Sequence, residues 1–201
     1  SGSAISFGPG PLSPALKVLI GANVVVFLAQ QVSPALAWTF GLMPSAVLGE
    51  FHVWQLGTYM FLHGGLFHVL FNMLALWMFG TELERIWGTR YFVRFYFVTG
   101  IGAAILTVLF SLLPFPVARQ LQHAIIIGAS GAISGLFGAW LVDRVGRLRR
   151  RRTRRDVVRV VGIGLLYLPA LLNPTTPEGG RISVAAHVGG LIAGALLTWG
   201  F

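Results

Sequence analysis

Six apolar runs of near-membrane length constrain this chain more than any other feature. They fall near residues 15–36, 66–81, 91–113, 124–143, 156–172 and 182–201. Each is continuous rather than alternating in and out, which predicts helices crossing a bilayer and not the strands of a barrel. Several are shorter than the ~20 residues a standard hydrocarbon core asks for, which predicts a thinned membrane or tilted neighbours. Charged residues make up 10% of the chain and hydrophobic ones 55%, whereas a soluble domain carries about 25% charged residues. At 201 residues, with no repeat of fixed period, one compact unit is expected. The expected architecture is an all-α membrane protein, a six-transmembrane-helix bundle forming a single domain over 1–201 with a tail at 1–14. The opening Ser-Gly-Ser without an initiator methionine reads as a trimmed or added leader. The absence of cysteine removes disulfides, thiolate metal sites and a cysteine nucleophile.

The net charge of +9 is concentrated: nine of the fifteen basic residues lie between Arg144 and Arg159, wedged between two apolar runs. Such a cluster is expected to be a cytoplasmic loop held inside by its charge, with anionic lipid headgroups near Arg147 to Arg155 as its partner and no nucleic acid. The connection after the second run adds Arg85, Arg90 and Arg94, while those on the opposite side hold almost no basic residues. This asymmetry predicts a cytoplasmic N-terminus, with runs two, four and six all entering from outside. The long first connection has no Lys or Arg but contains Trp38, Phe40, Phe51, Trp54, Tyr59 and Phe61, and is expected in the outer interface.

Polar residues inside such runs are costly and need a reason. One cluster, in HGGLFHVLFN, holds His63, His68 and Asn72; a second, in GASGAISG, holds Ser130 and Ser134; the third is His187 in AAHVGGLIAG. All are expected in the first turns of the three runs that enter from outside, so at similar shallow depth. Gly131 and Gly135, and Ala186, Gly190 and Gly194, form small-residue stripes four apart, which let two backbones approach closely. That packing is expected to bring Ser130 against His187. A serine beside a neutral imidazole is an activated nucleophile, and no carboxylate stands near enough for a third member, so a dyad is expected. His68 and Asn72 share one helix face and supply N–H donors for an oxyanion, joined by free backbone N–H groups where run four begins. Ser134 is expected to bond back to a carbonyl one turn earlier. His63 is expected to be structural, its ring pinning the interfacial segment, and GTELERIWG a capping and salt-bridge loop.

These three motifs, in this order and on these runs, resemble the rhomboid family of intramembrane serine proteases over about Leu16 to Phe201. The family's G-x-S-G matches Gly128, Ala129, Ser130 and Gly131, implying Ser130 as nucleophile. The alanine-histidine pair matches Ala186 and His187, implying His187 as base, and the family's histidine and asparagine match His68 and Asn72, implying oxyanion stabilisation. The resemblance also implies single-span membrane substrates cut near the outer face, without metal or cofactor, and a multi-pass protein of a bacterial cell membrane. Ser134 stands where many members carry an aromatic, and Gln55 follows Trp54 where some bacterial members have arginine.

Two other readings compete. A catalytically inactive relative that binds membrane helices typically lacks the serine or the histidine, and both are present here. A small transporter would carry polar groups across the midplane, whereas the runs below Ser134 and Asn72 read as uniformly apolar.

Overall fold

The computed structural model describes residues 10–150 and, beyond them, residues 187, 188, 190, 191, 194, 197 and 198. The expected span at 156–172, and the arginine cluster past residue 150 with its lipid partner, lie outside the described residues.

Helix α1 spans Pro14–Val32. Pro14 pre-sets the first turn, and Ser13 caps it by accepting from the Leu16 N–H at 3.1 Å. The helix ends before Ser33-Pro34, where the proline disfavours helical geometry in the residue before it. The first connection is folded into short helices α2 (Ala35–Phe40), α3 (Pro44–Gly49) and α4 (Gln55–Thr58), then a 3-10 turn at Tyr59–Phe61. Trp38, Phe51 and Trp54 are exposed there, as an interfacial segment requires. Helix α5 (Leu66–Trp87) turns directly into α6 (Thr89–Ser111) through Gly88, whose φ of +78° favours glycine. A short α7 (Pro116–Gln122) and the non-helical segment 124–129 lead to α8 (Ser130–Arg150).

Helix α8 is the centre of the bundle: every described side chain from Gly131 to Trp140 is buried, chiefly against α6 and then α5. Its core partners include Phe79, Phe95, Tyr96 and Leu76. Outward faces are apolar instead of polar, with Val18, Val25 and Leu28 on α1, Leu70 and Phe71 on α5, and Val98 and Leu109 on α6 all exposed. Helices α1, α5 and α6 are each long and apolar enough to cross a membrane. Apolar faces on both sides of a helix are stable only in lipid, so this is an integral membrane protein.

Three expectations change. Run two was expected to stop near residue 81, yet α5 continues for six more residues through GTELERIW. Its acids are satisfied there: Glu82 accepts from Trp140 Nε1 at 2.9 Å and pairs with Arg144, while Glu84 accepts from Thr89 Oγ1 at 2.7 Å and from Ser13 Oγ. With its charges partnered, the segment can stay helical, so α5 has full bilayer length. Run four was expected to be helical from about residue 124, yet it is helical only from Ser130, so Ser130 opens its helix. Ile126 exchanges two backbone bonds with Leu42 (2.9 and 2.8 Å), and Gly128, at φ +123°, donates its N–H to the Tyr59 carbonyl at 2.9 Å. Backbone committed in that way cannot join a helix. Finally, polar side chains do continue inward, since Asn23, Tyr96 and Thr99 are buried. Asn23 Nδ2 and Thr99 Oγ1 donate to the carbonyls of Leu19 and Phe95, both at 2.8 Å, a bond that each makes within its own helix.

Candidate active site

The site forms where the 124–129 segment becomes α8. The Ala129 carbonyl accepts the first helical bond, from the Ile133 N–H at 3.0 Å. Alanine offers no side-chain cap, and the first N–H groups of a helix, here beginning with Ser130, have no intrahelical partner. Ser130 itself is half-buried.

Against this turn stands α5. A Cβ placed on Gly128 would meet His68 Nε2 at 2.8 Å and Asn72 Nδ2 at 3.6 Å, so the glycine is what lets both side chains approach. His68 Nδ1 accepts from the Gly64 N–H at 3.2 Å. A neutral imidazole with one nitrogen accepting carries its proton on the other, so Nε2–H is the nitrogen presented to the Gly128 turn. Asn72 Nδ2 is buried and has no hydrogen-bond partner. Two side-chain donors thus converge on the turn that carries Ser130.

The 187–198 segment reaches the same place through glycine contacts. A Cβ on Gly190 would fall 2.0 Å from the Gly131 carbonyl oxygen and 3.2 Å from Ser134 Cβ, and one on Gly194 would fall 2.0 Å from the Gly135 carbonyl oxygen. Gly135 is squeezed from the other side as well, a Cβ there meeting Thr99 Cβ at 2.5 Å. The two carbonyl contacts keep the same register, so the backbones run parallel and His187 is level with the Gly128 turn. It is buried, within electrostatic reach of His68. Both its ring nitrogens are without a hydrogen-bond partner, so the expected bond between Ser130 and His187 is not made in this structure. Ser134 is fully buried at the same helix contact.

His63 behaves differently from the expectation. Its ring is buried edge-on to His68 at 5.0 Å between centroids, and neither ring nitrogen has a partner. Burial, then the neighbouring His68, lowers its pKa to about 3, with the Phe61 backbone acting the other way. The backbone of His63, and not its ring, ties the segment down: its N–H donates to Gln30 Oε1 at 2.9 Å and its carbonyl accepts from Gln30 Nε2 at 3.3 Å. Gln30, Leu42 and the Tyr59 carbonyl are therefore site supports that the motifs did not reveal. Gln55 is also buried, accepting from the Met43 N–H at 3.0 Å, so it braces the first connection from inside.

An uncapped helix start with side-chain donors converging on it, sealed by glycine contacts inside a lipid-facing bundle, defines a membrane-embedded protein with a polar site. Residues 50–201 match the family described as Rhomboid domain, and the chain belongs to the rhomboid family. It is 32% identical over 155 residues to the protein named Rhomboid protease GluP of Bacillus subtilis (strain 168), covering 77% of this chain and 27% of that protein. It is 32% identical over 159 residues to RHOMBOID-like protein 1 of Arabidopsis thaliana, covering 78% of this chain and 36% of that one. RHOMBOID-like protein 7 of Arabidopsis thaliana is 32% identical over 173 residues, 81% of this chain and 45% of its own length. The chain thus spans less than half the length of each of these relatives.

Proposed function

We propose that this protein is an intramembrane serine endopeptidase that cleaves single-span membrane proteins near the outer membrane face, using Ser130 as nucleophile and His187 as general base. The observation that carries this reading is the pair of donors, His68 Nε2–H and Asn72 Nδ2, brought against Gly128 two residues before Ser130. Donors aimed at the position where an oxyanion develops are the largest single contribution in acyl transfer. Family membership and a relative named as a rhomboid protease support the same reading.

In this mechanism Ser130 Oγ attacks the scissile carbonyl carbon while His187 takes the hydroxyl proton. The oxygen, now carrying the negative charge, is held by His68, Asn72 and the free N–H groups opening α8. Collapse breaks the C–N bond, and His187 returns its proton to the departing amine, leaving an acyl-enzyme on Ser130. Water, deprotonated by His187, attacks the acyl carbon and Ser130 leaves with the proton. The step from the present arrangement to an active one is a small movement that joins Ser130 to His187, because catalytic hydrogen bonds often tighten only on substrate binding.

The same reading puts a single six-span domain over 1–201 in a bacterial cell membrane, with the N-terminus cytoplasmic and Arg147 to Arg155 against anionic lipid. It is tested by labelling with a fluorophosphonate probe. Labelling is expected in the wild type and in Ser134→Ala, and lost in Ser130→Ala and His187→Ala. A folded wild type that resists the probe would reject the protease reading in favour of a helix-binding relative.

A further inference from the structure

We infer that Gln30 is a positioning residue for the oxyanion site, holding His68 in the tautomer that carries its proton on Nε2. Gln30 projects from α1, a helix that contributes no member of the proposed catalytic set. Its carboxamide is buried and makes a two-way clamp on one residue: Oε1 accepts from the His63 N–H at 2.9 Å and Nε2 donates to the His63 carbonyl at 3.3 Å. Both backbone groups of His63 are used, so the peptide plane that follows, which carries the Gly64 N–H, has a set direction. That N–H is the group donated to His68 Nδ1 at 3.2 Å. With Nδ1 accepting, the neutral ring keeps its proton on Nε2, and Nε2 is the atom packed against Gly128.

The chain of bonds therefore runs from Gln30 through the His63-Gly64 backbone and His68 to the Ser130 turn. A His68 protonated instead on Nδ1 would oppose its own hydrogen to the Gly64 N–H and would present a lone pair to the developing oxyanion. Outer partners that set a histidine's tautomer and ring orientation typically cost 10- to 100-fold when removed, as measured at metal sites. Gln30 acts only through this relay and not on the reacting atoms, so its effect is expected on kcat and not on KM.

Side-chain 15N resonances of histidine-labelled protein in lipid nanodiscs, with His68 assigned by loss in His68→Ala, read the tautomer directly. The wild-type ring is expected to be neutral and protonated on Nε2. In Gln30→Leu the signals should move to a mixture of tautomers, with kcat on a transmembrane-segment substrate lowered about 10- to 100-fold and KM within about twofold. Gln30→Glu, which keeps the acceptor for the His63 N–H but loses the donor, should fall between the two. A wild-type ring protonated on Nδ1, or a Gln30→Leu ring unchanged from wild type, overturns the inference. If Gln30→Leu does not fold, the wild-type tautomer and Gln30→Glu still decide it. The kcat arm rests on the proposed dyad, and that reading fails separately, if Ser130→Ala cleaves the substrate as fast as wild type.

Discussion

Gly128 is constrained twice, by a φ of +123° and by the His68 ring that fills the space a side chain would take. An alanine there adds about 1–3 kcal/mol of backbone strain and pushes His68 away from the turn. Gly128→Ala is expected to lower fluorophosphonate labelling of Ser130 by about 100-fold or more, on the scale of losing one oxyanion donor, with a smaller drop in thermal midpoint. Asn72→Ala tests the donor pair without strain: turnover should fall on the order of 10²- to 10³-fold while the protein stays folded. His63 gives a pH signature. Its neutral form is favoured by the fold, with a pKa near 3 against ~6.5 when unfolded. Between those values the unfolded chain binds more protons, so stability contributed here is complete above ~6.5 and declines as pH falls, by up to about 1.4 kcal/mol per unit. His63→Leu should flatten the loss of thermal midpoint measured from pH 7 to 4.5.

Among elements, the contact between α8 and the 187–198 segment rests on glycines with no room to spare. Gly190→Leu and Gly194→Leu are expected to separate the two backbones, abolish labelling and lower the midpoint sharply. Gly102→Leu, where a side chain meets open space, should leave both unchanged. The C-terminal parts of α5 and α8 are joined by Glu82, Trp140 and Arg144. Glu82→Leu leaves a buried guanidinium short of its acid and should cost on the order of 3–5 kcal/mol, much of it recovered in Glu82→Leu/Arg144→Met; detergent or urea unfolding reads the difference. Helices α1, α5 and α6 were legible from hydropathy because membrane burial leaves its mark on every residue of a span. The start of α8 was not, because Ile125, Ile126 and Ile127 are equally apolar in a strand-like segment or a helix, and what ends the helix is a bond to distant Leu42. The meeting of His68, Asn72 and the Gly128 turn was legible from motif spacing. Gln30 was hidden, since one amide in an apolar run does not show that its partner is a backbone 33 residues away.

At the scale of the whole molecule, the proposed orientation is open to a direct check because the chain has no cysteine of its own. In intact cells, Glu50→Cys should react with a membrane-impermeant maleimide, while Arg152→Cys should react only after the cells are opened. The reverse pattern would place the arginine cluster outside and overturn the proposed topology.

The seating of Gly190 and Gly194 on α8 also has a consequence for biosynthesis. Ribosomes deliver Ser130 first and need several more seconds, at about 5–20 residues per second, to deliver His187 and the glycines that seat it. On the proposed mechanism, the chain in that interval would carry its nucleophile without its base. The same reading predicts that nascent membrane proteins passing through the same insertion machinery are not cut until the 187–198 segment docks. Ribosome-bound chains stalled before residue 187 should bind no fluorophosphonate, and released full-length chains should acquire the label as that segment inserts.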